Sequence, residues 1–238
     1  MSEQLDLLEL ATRGGPPHDR AVAALAASAG HSVAAAQEWP LPVCDARLLE
    51  LYRQRYGSDL RAVSACPECG GVLELSFAVD DLLAALATPD HAELTLEIDG
   101  YELRLRLPTV ADLARAQRTG DSMRAAQSIA AGCVCECARE GVAVDGADLP
   151  GPILERVQQR LERYDLGGDQ IDLTCPECGT GWRATLDVTT LVLAELDAEG
   201  ERLLADVHVL ARAYGWSEAE IADLPPWRRR KYIEMVLA

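Results

Sequence analysis

The pentapeptide CPECG occurs twice, from Cys66 and from Cys175, and no other feature limits the fold of this chain as strongly. Two thiolates three positions apart on a tight turn converge on one tetrahedral ion, and the glycine after the second cysteine permits the backbone conformation that turns N–H groups toward sulfur. Each knuckle supplies half of a structural zinc site. Joined, Cys66, Cys69, Cys175 and Cys178 form a closed four-thiolate set with no open coordination position, as in a zinc ribbon, and the expectation is one structural zinc per chain. The stretch between Cys69 and Cys175 is then a long insertion. Two other readings use the same residues: free thiols in two separate turns, and a thioredoxin-like redox pair. The latter is weakened because each knuckle leads into a strand pattern and not into a helix N-terminus that would lower a thiol pKa.

The similarity extends past the cysteines. CPECGGVLELSFAVDDLLAAL aligns with CPECGTGWRATLDVTTLVLAEL without a gap, matching Gly70 with Gly179, Leu73 with Trp182, Phe77 with Leu186, Val79 with Val188 and Leu82 with Leu191. Each copy reads as knuckle, half-buried strand and helix start, with Asp80 capping the helix in the first copy. A pseudo-symmetric pair of packed knuckle units is the simplest architecture. Between the copies, residues 93–107 alternate apolar and polar around Asp99-Gly100, which predicts a hairpin with a two-residue turn. Thr109 with Asp112 marks a helix start. Helices are expected over about residues 121–140 and 151–164, separated by a cluster of Gly, Asp and Pro.

Residues 3–30 read as two short helices broken at Arg13-Gly-Gly-Pro-Pro17, Trp39-Pro-Leu-Pro42 as an extended link, and the segment from Asp45 to Gly57 as a helix. The fold class expected is therefore α+β, mostly helical, with two pseudo-repeated knuckle units and an additional β-hairpin between them. Four segments follow: 1–44, an N-terminal helical segment; 45–120, the first knuckle repeat with the hairpin; 121–168, a helical insertion; and 169–238, the second knuckle repeat with the C-terminal helices, together one compact domain.

Composition narrows the function. The 238 residues are 49% hydrophobic and 26% charged, a globular balance that excludes disordered and collagen-like classes. A net charge of −17 repels a phosphate backbone, so nucleic acid is not expected as a partner. No stretch approaches the roughly 20 apolar residues of a membrane span, and MSEQLDLLEL is acidic where a secretory signal carries positive charge, so a cytoplasmic location is expected. In a reducing compartment the 8 cysteines point to thiols or thiolate ligands. Phosphate loop, nucleophile elbow and dinucleotide fingerprint are all missing from the sequence, and no enzymatic activity is expected.

Cys133, Cys135 and Cys137 form a second cluster in AAGCVCECARE. On a helix Cys133 and Cys137 share a face while Cys135 points away, so three-way ligation is geometrically poor. Buried packing thiols are the plain reading; the alternative pairs Cys133 and Cys137 with one knuckle and leaves the other incomplete. Cys44 reads as packing. His18, His31, His91 and His208 share no ligand spacing.

The C-terminus is the other informative segment. A helix through Val207, Leu210 and Tyr214 ends at Gly215; Ser217 caps the next, with Glu220 completing a capping box and Trp216 placed to staple onto Ile221. Pro225-Pro226 starts a last helix carrying Arg228-Arg-Arg-Lys231 beside Trp227 and Tyr232. Cations at a helix start oppose its dipole, which points to an acidic partner or to the acidic body of the same chain. The paired knuckles, the LRLPTVADLA segment and the closing LARAYGWSEAEIADLPPWRRRKYIEMV together resemble the baseplate hub assembly chaperone family of T-even contractile-tailed phages, in the cysteine-bearing form found near contractile injection systems. The resemblance runs from about Asp45 to the end and is most specific from Tyr214 to Tyr232. It implies a non-enzymatic role: an assembly factor or minor component for a baseplate hub, with hub or tail-tube proteins as partners and Trp216, Trp227, Arg228, Arg229 and Tyr232 at the contact. The alternative is a zinc-ribbon adaptor unrelated to tail assembly.

Overall fold

The computed structural model describes residues 9, 14–86, 94–118, 120–162 and 170–238. Apart from Glu9, the first of the two N-terminal helices expected from the sequence lies outside these residues. The class is mixed α and β with helix predominating, and the chain divides into two compact units, one spanning Gln37–Val188 and the other combining the residues through Ala36 with Thr189–Ala238.

Helices α1 (Pro17–Ala29) and α2 (Val33–Gln37) come first. The larger unit opens with α3 (Leu41–Tyr56), which starts earlier than expected: Pro40 is its N-cap, and Leu41 and Pro42 lie in its first turn. The supposed extended link is in part helix because proline's missing N–H costs nothing where the first N–H groups have no intrahelical acceptor. The helix buries Leu48, Leu49 and Tyr52 and ends at Gly57. β1 (Asp59–Ala65) and β2 (Val72–Ala78) then form an antiparallel hairpin, paired from Asp59↔Ala78 to Ala65↔Val72. The Tyr52 hydroxyl donates to the Asp59 carbonyl at 3.0 Å, tying α3 to β1. Helix α4 (Val79–Ala85) starts after Ala78, so Asp80 is not its cap. The Asp80 carboxylate lies in the first turn, where the helix dipole favours negative charge, and pairs with Arg53 at 2.6 Å.

The middle of the unit is an antiparallel sheet in the order β3 (Leu94–Ile98), β4 (Tyr101–Leu105), β5 (Val134–Arg139) and β6 (Val142–Ala143). The Asp99-Gly100 turn has φ 49° and 77°, the double positive that a two-residue hairpin needs. Leu94, Tyr101, Leu103, Leu105 and Cys137 pack against Ala130 and Ile153, Leu154, Val157 and Leu161, which belong to α6 (Ser122–Gly132) and α7 (Gly151–Leu161). The helix expected over 121–140 therefore stops at Gly132. Residues 134–139 go instead to β4, where they bury Cys137 and satisfy their backbone groups through the ladder. β7 (Gln170–Thr174) and β8 (Gly181–Thr185) form the last hairpin of this unit, paired from Gln170↔Thr185 to Thr174↔Gly181.

Asp112 anchors the junction of sheet and helices. It sits at the third position of α5 (Val110–Gln117), whose N-cap Thr109 forms a capping box with it. Its side chain is 1% exposed and receives the Arg106 guanidinium through two bonds of 2.6 and 2.9 Å. Arg106 also donates to the Gly132 carbonyl at 2.7 Å, fastening the end of α6. A Cβ on Gly132 would stand 3.1 Å from Arg115 and 3.3 Å from Asp112, so the glycine admits the network. Burial pushes the Asp112 carboxyl up, but the Arg106 guanidinium and the Thr109 N–H overrule it and leave it below its ordinary value.

In the other unit, α8 (Val188–Tyr214), α9 (Glu218–Ala222) and α10 (Pro226–Leu237) follow one another. Leu203, Val207 and Ala222 pack together, and Arg20 of α1 pairs with Asp197 of α8. The Ser217–Glu220 capping box is present.

Asp112→Ala is expected to lower stability by about 2–3 kcal/mol. This is less than the about 3–5 of a fully buried pair, because the Arg106 side chain is 38% exposed. A depressed folded-state pKa stabilises above the unfolded value and is lost as pH falls through the folded one. Urea denaturation should therefore show a shallower loss of stability below about pH 4 for Asp112→Asn than for the wild-type chain.

Candidate metal centre

Each CPECG knuckle is the tip of a two-stranded hairpin, a placement that follows from the strands flanking it. The strand after each knuckle is the one expected from the sequence; the strand before it is not, since DLRAVSA carries few strong β-formers and QIDLT spans only five residues. Both tips are closed by the same bonds. The Cys66 N–H donates to the Gly71 carbonyl at 2.8 Å and the Gly70 N–H to the Cys66 carbonyl at 2.9 Å; the matching pairs are Cys175 to Thr180 at 2.9 Å and Gly179 to Cys175 at 3.0 Å. Gly70 and Gly179 take φ of 73° and 75°, in the left-handed region where a side chain is disfavoured.

The two tips meet at their sulfurs. Cys66 Sγ lies 3.6 Å from Cys178 Sγ, and Cys69 Sγ 3.6 Å from Cys175 Sγ, with all four sulfurs within 4.8 Å of one another. Sulfurs at about 2.3 Å from a tetrahedral zinc stand about 3.8 Å apart, so the set has the dimensions of a metal site. In both knuckles the first cysteine is buried and the second exposed. Cys133 and Cys137 do not join them: both belong to the core between the sheet and α6 and α7. The reading that splits the site with these two cysteines is overturned. Burial pushes the Cys133 thiol up to about 12 and raises Cys137, and Cys44, also buried, is likewise pushed up to about 12, as expected of packing thiols.

Three neighbours of the sulfurs were not anticipated. The Thr180 hydroxyl lies 3.4 Å from Cys178 Sγ and, with the Thr180 N–H, holds that thiol down to about 6. The Glu177 carboxylate stands 3.9 Å from Cys69 Sγ. A Cβ on Gly71 would meet that carboxylate at 2.7 Å and the Cys69 sulfur at 3.3 Å. The only sequence signal was the Gly71-to-Thr180 mismatch between otherwise aligned knuckles. The Gly71 N–H favours the Cys69 thiolate, but the sulfurs of Cys175, Cys178 and Cys66 crowd it and push it up to about 12. Thiolates this close repel one another, and a bound dication relieves that repulsion.

The C-terminal residues singled out from the sequence separate into two groups. Tyr214, Trp216 and Tyr232 close into one cluster, with ring centroids 4.8, 5.0 and 5.8 Å apart. Trp227 is 67% exposed. Arg228 is exposed and lies along the Tyr232 ring. Arg229 is different, because it is buried and donates to Asp206 at 3.2 Å and to the Leu224 carbonyl at 2.7 Å. Its charge is spent inside the chain, so for this one member of the basic run the acidic body of the same chain, one of the two destinations the sequence offered, is the group it meets.

No family model, no curated protein and no solved structure matches the chain. No helix among the described residues is long and apolar enough to cross a membrane.

Arg229→Ala is expected to destabilise the chain by about 2–4 kcal/mol by leaving Asp206 and the carbonyls of Ala222 and Leu224 without their donor, whereas Arg228→Ala should stay within about 0.5 kcal/mol. Chemical denaturation of the two variants side by side measures the difference.

Proposed function

We propose that the chain is a non-catalytic assembly factor or minor component for the baseplate hub of a contractile tail or injection system, with one structural zinc held by Cys66, Cys69, Cys175 and Cys178. The observation that carries this reading is the way the segment from Tyr214 to Tyr232 folds. Three of the residues on which the resemblance is most specific, Tyr214, Trp216 and Tyr232, come together as one ring cluster, Arg229 turns inward, and Trp227 and Arg228 stay at the surface. A large exposed aromatic beside a cation is the composition of a contact hot spot. On a chain of net charge −17, cations at the first turn of α10 favour an acidic partner surface and speed its encounter.

The metal belongs to the same reading. Four soft thiolates at tetrahedral spacing select zinc over harder ions, and a closed four-sulfur set leaves no position for substrate or water. The two hairpins carry their cysteines on the same backbone bonds and with the same burial, which supports a repeated zinc knuckle. The site then acts as a staple, and binding falls to the C-terminal helices.

Elemental analysis of purified protein should find one zinc per chain. Cys66→Ser and Cys175→Ser should each lose it, together with several kcal/mol of stability, because metal binding is folding free energy in such a site. Co-expression with the hub and tube proteins of a contractile tail from the same genome, followed by affinity capture, tests the role. Capture of the hub by the wild-type chain, lost in Trp227→Ala with Arg228→Glu while zinc content is kept, supports the reading. Failure to bind either tail protein overturns it.

A further inference from the structure

Accessibility divides the four sulfurs into two kinds. Cys69 and Cys178, the second cysteine of each knuckle, are exposed, whereas Cys66 and Cys175 are each 2% exposed. Each exposed sulfur lies 3.6 Å from the buried first cysteine of the opposite knuckle. We propose that this cluster is an oxidation site for hydroperoxides and that oxidation links the two knuckles to each other, as Cys69–Cys175 and Cys66–Cys178. The inference rests on the four-thiolate reading above for its ion, and the pairing is argued from the two 3.6 Å separations across the knuckles.

The chemistry needs no group beyond the peroxide. An exposed thiolate, Cys69 or Cys178, attacks one peroxide oxygen; the S–O bond forms, the O–O bond breaks, and hydroxide leaves behind a sulfenic acid. The buried thiolate 3.6 Å away then attacks that sulfur, so the S–S bond forms as the S–O bond breaks and a second hydroxide departs. Two solvent protons convert the hydroxides to water. Each bridge thus oxidises two thiolates by two electrons and reduces one hydrogen peroxide to two waters. A disulfide has lost the thiolate charge that holds a dication, so the ion is released as the bridges form. The separations favour crossed pairing, since sulfurs already 3.6 Å apart across the tips need only a small approach of one tip toward the other to reach the bond length of about 2.05 Å.

Crossed bridges also have a structural consequence. Bridges inside each CPEC turn would free the two hairpins from each other once the ion left, whereas crossed bridges keep them joined. The oxidised chain then retains its closure and recovers the site when reductant and metal return.

The test uses the full chain, with zinc content measured first. Hydrogen peroxide is titrated under exclusion of air while zinc release is followed with a chromogenic chelator, and bridges are mapped by mass spectrometry of unreduced peptides. Complete release at about two peroxides per zinc, with Cys69–Cys175 and Cys66–Cys178 as the bridges found, is the expected result. Bridges Cys66–Cys69 or Cys175–Cys178, or sulfinic acids in place of bridges, overturn the proposal. In Cys69→Ser the expected bridge is Cys66–Cys178, and a Cys175–Cys178 bridge overturns it. A chain that carries no zinc at the outset counts against the ion and not the pairing, which the same mapping on that metal-free chain decides.

Discussion

The meeting of four sulfurs at two hairpin tips is the constraint around which the larger unit is organised. Cys66 and Cys178, and Cys69 and Cys175, are far apart in sequence and 3.6 Å apart in space. Neither hairpin has the size to be stable by itself, since two strands bury too little apolar surface in water. β1 and β2 alternate between half-buried and exposed along most of their length, and β8 does the same. Each hairpin also leads directly into a buried valine, Val79 or Val188.

The part of this arrangement legible in the sequence is the part written in local chemistry. Cysteine spacing, the Asp99-Gly100 turn and the Thr109–Asp112 and Ser217–Glu220 capping boxes each depend on residues within a few positions of one another, and all four are found. What escaped was set by distant partners. Val134–Arg139 forms a strand because β4 offers it an unpaired edge, and AAGCVCECARE taken alone does not display that edge. Arg229 reads as one of four consecutive cations, yet it alone turns inward, because Asp206 and the carbonyls of Ala222 and Leu224 wait at its position on the helix. Charge in a sequence gives no direction, and helical phase against a neighbour supplies it.

The two buried polar networks illustrate different uses of a charged group. Asp112 gathers Arg106, Arg115 and the Thr109 hydroxyl and N–H, so a carboxylate that would be costly to bury unpaired becomes the junction of a strand end and two helices. Arg229 serves the opposite end of the chain as a donor, satisfying carbonyls at the close of α9 that would otherwise lack partners.

The span between the knuckles has a core of its own, because every residue of the cluster running from Leu94 to Leu161 lies inside it. A loop closed at Cys69 and Cys175 loses entropy only slowly as it lengthens, about 0.6 kcal/mol for each doubling. Within it, residues 94–161 form a cassette: a sheet and helices with a core of their own, carried between β2 and β7, the inner strands of the two hairpins, and tied to α3 by the Leu41 N–H to the Pro108 carbonyl. Exchanging that cassette for another folded piece of similar end-to-end spacing would leave the four-sulfur clasp in place, which makes the paired hairpins a portable mount on which unrelated inserts can be displayed.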